Sequence, residues 1–173
     1  MKNESYFHQY EAAARRYFDI VEEITNKKIQ YIKGADEYGK TSLHYAAEFG
    51  EEWIVERLIK KFPSSAYTLD INGHSPLHIA VWKFNLKAVK ELIKHCPDSM
   101  EQVSQKGESI LHFAVKSERL RMVIYVVDIL GPEGLLNQPD MYGNTAFHVS
   151  ANLTSTRKFF LFGIRCKARS MGT

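Results

Sequence analysis

The sequence predicts an all-α protein, a solenoid of stacked turn-helix-helix units, and three observations carry that prediction. A hydroxyl-x-apolar-His block occurs four times, as Thr41-Ser42-Leu43-His44, Ser75-Pro76-Leu77-His78, Ser109-Ile110-Leu111-His112 and Thr145-Ala146-Phe147-His148. A glycine stands two residues before each block, at Gly39, Gly73, Gly107 and Gly143, and the spacings are 34, 34 and 36 residues. Behind each of the first three blocks runs an apolar stripe of one phase. A phase kept over this length marks one supersecondary unit repeated, each copy burying its apolar face on the next.

Within a unit the order of signals is Asp, two variable residues, Gly, one variable residue, then Ser or Thr. Asp36-Glu37-Tyr38-Gly39-Lys40-Thr41 shows it best. Glycine supplies a positive-φ turn at low steric cost, and the hydroxyl caps the N–H groups that open a helix. Only Pro76 puts proline just after the cap, where its missing N–H does no harm. The first helix of each unit runs through Leu43, Ala46 and Ala47, then Leu77, Ala80 and Val81, then Leu111, Ala114 and Val115. Leucine and the residue three further on share a face, and the small residues allow close helix approach.

A second helix follows a short turn. Its stripe is Ile54, Val55, Leu58 and Ile59, then Ala88, Val89, Leu92 and Ile93, then Met122, Val123, Val126 and Val127. Pro63 and Pro97 end these helices at the same phase, and Gly131-Pro132-Glu133-Gly134 absorbs the two extra residues before the fourth block. Shifted back by one repeat, Ala12, Ala13, Ile20, Val21 and Ile24 outline a degenerate N-terminal capping unit. The expected organisation is a cap over 1–34, repeats over 35–68, 69–102 and 103–138, a partial repeat over 139–153, and a basic aromatic tail over 154–173.

Composition narrows the function. The formal charge of +3 comes from the tail, where Arg157, Lys158, Arg165, Lys167 and Arg169 stand without an acid; residues 1–153 hold 18 cations against 20 carboxylates. A body at −2 lacks the basic stripe that phosphate binding needs, so nucleic acid is not expected as a partner. Cys96 and Cys166, 70 residues apart, match no disulfide or metal spacing and favour a reducing compartment. The N-terminus lacks the apolar run of a secretory signal, and the run from Phe159 to Ile164 is far shorter than the roughly 20 residues a spanning helix needs. The expected location is the cytoplasm, with the cytosolic face of a membrane as the alternative.

The repeated blocks make the chain resemble ankyrin-repeat proteins, whose unit of about 33 residues is a turn plus two helices with a Thr-Pro-Leu-His-x-Ala signature. The resemblance covers roughly residues 6 to 151. The segments Cys96-Pro97-Asp98-Ser99, Leu135-Leu136-Asn137 and Gly143-Asn144-Thr145 further resemble the plant accelerated-cell-death group of ankyrin proteins. Members of that group continue into a membrane domain with a Pro-Gly-Gly motif, which is absent here. Two readings of the tail stay open: a makeshift last helix, or a truncated or misjoined end of a longer gene product. Lys158-Phe159-Phe160-Leu161-Phe162 also mixes charge and apolar anchors, as weakly membrane-associated segments do.

No cofactor, metal or catalytic residue is expected. A solenoid sets His44, His78, His112 and His148 in a row, each in its own unit, whereas metal ligands converge. The resemblance implies that each histidine ties its own turn to backbone and hydroxyl groups. Ser75, His78 and Asp70 are the residue types of a hydrolase triad, but they recur as scaffold and lack a nucleophile elbow. The positions that differ between copies are Glu37, Tyr38, Lys40, Glu48 and Phe49; Ile71, Asn72, His74, Trp82 and Lys83; Gln105, Lys106, Glu108 and Lys116; and Tyr142 and Asn144. In ankyrin proteins the matching positions line a concave face that grips another protein, which makes them the expected partner-binding residues. Tyr38, Trp82 and Tyr142 are the expected hot spots, because large amphipathic rings supply contact area with few rotors. The expected function is a protein-binding scaffold or adaptor; the alternative is a membrane-associated plant stress or defence signalling component.

Overall fold

The computed structural model describes residues 34–130 and 137–151. The capping unit over 1–33, the breaker cluster after Leu130, and the tail with Cys166 lie outside the described residues. Seven α-helices follow in order: α1 (Ser42–Phe49), α2 (Glu52–Lys61), α3 (Pro76–Trp82), α4 (Leu86–His95), α5 (Ile110–Lys116), α6 (Leu120–Leu130) and α7 (Ala146–Ala151). The described residues contain no strand. Short 3-10 turns over Pro63–Tyr67 and Pro97–Glu101 follow α2 and α4.

The helices form two layers. Inner helices α1, α3, α5 and α7 stack in a row, and α2 packs against α4 in the outer layer. Leu43, Ala47, Leu77, Ala80, Val81, Leu111 and Ala114 are fully buried between inner helices, and Val55, Ile59, Ala88, Val89, Leu92, Met122 and Val126 fill the space beneath the outer ones. The small inner residues and the branched outer ones thus occupy the faces that their spacing assigned to them. Cys96 is buried at the end of α4, and burial pushes its thiol pKa up. It is a packing residue.

Each turn is closed by one acceptor. Asp36 Oδ1 accepts from the Tyr38 and Lys40 amides, Asp70 Oδ1 from Asn72 and His74, and Asp140 Oδ1 from Tyr142 and Asn144, all at 2.8–2.9 Å. The third unit departs from the expected Asp: Ser104 stands there, and its Oγ accepts from the Lys106 and Glu108 amides at 3.2 and 3.3 Å. A hydroxyl does the carboxylate's geometric task with longer, weaker bonds. Turns are then bonded tip to tip, Ile71 N to Tyr38 O (3.0 Å), Gln105 N to Asn72 O (3.1 Å) and Met141 N to Lys106 O (2.8 Å).

The histidines join cap to neighbour. His44 Nδ1 accepts the Thr41 amide at 3.0 Å and lies 2.9 Å from Thr41 Oγ1; His78 and His112 repeat this with Ser75 and Ser109 at 3.2 and 2.9 Å. An Nδ1 that accepts an amide leaves the proton on Nε2. That proton is donated to the next unit, from His44 to His74 O at 3.1 Å and from His112 to Asn144 O at 3.0 Å. His78 is the exception, since its Nε2 is buried without a hydrogen bond.

The turn between inner and outer helix is left-handed in every complete unit: Gly50 has φ 76°, Phe84 61° and Glu118 54°. For residues with a side chain that conformation costs roughly 1–2 kcal/mol. Phe84 recovers some of it, because its ring packs on the core and under the Arg119 guanidinium, 5.9 Å away. Glu118 is exposed. Glu118→Gly is expected to raise stability by about 0.5–1 kcal/mol, a Tm gain of roughly 1–4 °C by calorimetry. Phe84→Gly is expected to lower it.

Candidate partner-binding site

A cleft of about 370 Å³ opens where turns and inner helices of three units meet, lined by Lys40, Glu48, Asp70, Asn72, His74, Ile79, Trp82, Lys83, Glu108, Phe113 and Lys116. Repeat geometry arranges these residues in rows. The residue after each turn glycine is Lys40, His74 or Glu108, and the one four places past each histidine is Glu48, Trp82 or Lys116. In the first unit the pair is an ion pair, Lys40 Nζ to Glu48 Oε2 at 3.2 Å. In the third unit the pair is reversed in sign, with Lys116 bonded to Glu108. Between them the middle unit carries His74 and Trp82.

Phe113 forms the floor. His74 meets its ring edge-on at 5.1 Å between centroids, and Trp82 does so at 6.2 Å. Phe113 and Ile79 are buried, while Trp82 stays 47% exposed above them. Part of the indole is therefore packed and part is open to a ligand, the disposition of an anchor residue. Glu48 also receives Lys83 Nζ at 2.8 Å, and these hydrogen bonds, Lys83 first and Lys40 second, hold its carboxyl below the usual range. Asp70 Oδ2 lies 3.4 Å from His74 Nδ1.

Eight of the expected binding residues line this cleft: Lys40, Glu48, Asn72, His74, Trp82, Lys83, Glu108 and Lys116. The others surround it. Glu37, Tyr38, Ile71, Gln105, Lys106 and Tyr142 are exposed at turn tips, Phe49 is exposed at the end of α1, and Asn144 is half-buried after the last turn. Glu108 differs from the expectation of a surface contact: it is buried, because the Lys116 side chain covers it. It shapes the wall.

Sequence reading missed Asp70, Ile79 and Phe113. Ile79 and Phe113 occupy the x of Leu-His-x-Ala, where Tyr45 and Val149 stand in the other units, and that column varies between copies as the chosen ones do. Asp70 serves the turn only through Oδ1, and its Oδ2 faces the cleft through His74.

A family model described as Ankyrin repeats (3 copies) matches residues 55–133 and 77–169. The chain belongs to the ankyrin-repeat family. Such repeats are typically non-catalytic and bind other proteins, and the geometry here agrees with that. Ser75 and His78 have no exposed surface, and Asp70 faces His74 instead of His78, so the three do not form a hydrolase relay. No curated protein matches the chain. No helix among the described residues is long and apolar enough to cross a membrane.

Proposed function

We propose that this ankyrin protein is an adaptor whose cleft between turns and inner helices holds a segment of a partner protein, with Trp82 as its central anchor. The observation that carries the reading is the row arrangement: a half-open indole on an aromatic floor, bracketed by the ion pairs Lys40–Glu48 and Lys116–Glu108. Polar pairs around a central aromatic exclude water from the contact, and the more exposed Lys40–Glu48 pair contributes only about 0–1 kcal/mol itself. The exposed Tyr38, Ile71 and Tyr142 extend the surface along the turn tips.

The test is recovery of cross-linked partners by the full chain and by variants with Tyr38, Trp82 or Tyr142 changed to alanine. Trp82→Ala is expected to weaken binding by about 10- to 100-fold, with a change in Tm of only a few degrees. Undiminished partner recovery by the folded triple variant removes this face as the binding site.

A second reading places the chain in membrane-associated plant stress or defence signalling, with the ankyrin units recruiting a partner at the cytosolic face. Its support is the resemblance of Cys96-Pro97-Asp98-Ser99, the start of the second 3-10 turn, to the accelerated-cell-death group. Transcripts that extend the coding sequence into a membrane domain support it; a single transcript ending at Thr173, with no liposome binding by its product, removes it.

A further inference from the structure

We propose that Glu56, Glu91 and His95 form a Zn²⁺ site that bridges the outer helices of the first two units. Glu91 and His95 are one turn apart on α4, and Glu56 faces them from α2. One ligand atom from each lies within 4.8 Å of the other two. Tetrahedral zinc with bonds of about 2.0–2.2 Å needs donors roughly 3.4 Å apart, so the three side chains must draw closer to close on the ion. One imidazole and two carboxylates with an open fourth position are a zinc ligand set; Ca²⁺ and Mg²⁺ prefer six or more oxygens.

Two observations go beyond proximity. Glu91 is a buried carboxylate, only 9% exposed, on a helix whose neighbours at that repeat position are Arg57 and Tyr125. His95 Nε2 is shielded from solvent and makes no hydrogen bond, although it points at Glu91 Oε2 from 3.3 Å. A shielded ring nitrogen without a hydrogen bond, in ion-pair range of a buried carboxylate, is a polar site that a cation completes. The present counter-charges are replaceable. Lys60 pairs with Glu56 at 2.6 Å and Lys94 with Glu91 at 3.3 Å, but these amines are 60% and 61% exposed and can swing into water at little cost. Zn²⁺ would neutralise both carboxylates and tie α2 to α4 on the layer opposite the cleft.

The test uses the full chain after dialysis against EDTA, with ZnCl2, CaCl2 or MgCl2 added and Tm recorded. Zinc at 100 µM is expected to raise Tm by roughly 5 °C or more, with no matching rise from calcium or magnesium. Co²⁺ is expected to give the visible bands of a tetrahedral nitrogen and oxygen site. His95→Ala and the more exposed Glu56→Gln should each abolish the shift and the bands, and Glu56→Gln keeps the test open should His95→Ala fold poorly. Absence of a zinc shift, an equal shift with calcium, or zinc and cobalt responses unchanged in a folded variant overturns the site.

Discussion

Gly73→Ala is expected to lower the stability of the folded chain by about 3–4 kcal/mol, while Gly143→Ala costs about 1–2 kcal/mol. Both glycines are left-handed, with φ +73° and +79°, so each alanine meets the same backbone strain of roughly 1–2 kcal/mol. They differ in what a Cβ would meet. At Gly73 it would lie 2.3 Å from the Gln105 amide nitrogen, which belongs to the next turn and cannot rotate away. That amide donates to Asn72 O at 3.1 Å, so making room breaks a tip-to-tip hydrogen bond worth about 1 kcal/mol and leaves its groups poorly paired. Around Gly143 no atom among the described residues lies within 4 Å of the added carbon. Gly39 and Gly107, with nearest atoms at 3.0 and 3.1 Å, should fall between. Urea denaturation of the four alanine variants checks the order. Equal losses at Gly73 and Gly143 would mean that the turns are not held against each other as described.

The scaffold was legible because the sequence writes it several times. Four in-phase copies distinguish Gly39 or His44 from chance, and the inner-row alanines and outer-row valines follow from the same phase. What differs between copies was harder to place. Ser104 keeps the turn by a hydroxyl instead of a carboxylate, so a rule that demanded Asp failed while the geometry survived. Phe84 and Glu118 adopt the left-handed conformation that only Gly50 advertises, because the path from inner to outer helix fixes φ whatever the residue. Variation marked Lys40, Trp82 and Lys116 as a surface, but variation carries no depth. Glu108 varies and is buried, and Phe113 varies and forms the floor. Depth comes from packing between units, which a one-dimensional pattern does not contain. The zinc ligands were invisible for a related reason: Glu56 and His95 belong to different copies and meet only when α2 and α4 stack.

Acidification from pH 7 to pH 5 is expected to cost about 2 kcal/mol of stability, most of it through His78. Burial is the main cause that lowers the His78 pKa from 6.5 to about 4, and the nearby charge of a protonated His74 acts in the same sense. The local bonding opposes protonation too. Nδ1 already accepts the Ser75 amide, so a proton there would set donor against donor. In the unfolded chain the imidazole charges near pH 6.5, whereas in the folded chain it stays neutral to about pH 4. The unfolded state therefore binds the extra proton throughout this window. Stability is full above pH 6.5 and falls as pH drops toward 4, at up to 1.36 kcal/mol per pH unit. His44 is shifted in the same direction, again mainly by burial, and steepens the fall. The four carboxylates with lowered values do not confuse the measurement. Glu48 and Glu56 are held below their ordinary value of 4.5, and Asp36 and Asp140 below 3.8, so their contributions are lost only at lower pH. His78→Gln should be less stable at pH 7, because the Ser75 cap loses its ring partner, yet its Tm should fall less between pH 7 and 5. A His78→Gln profile parallel to that of the unaltered chain would show that the acid sensitivity lies elsewhere.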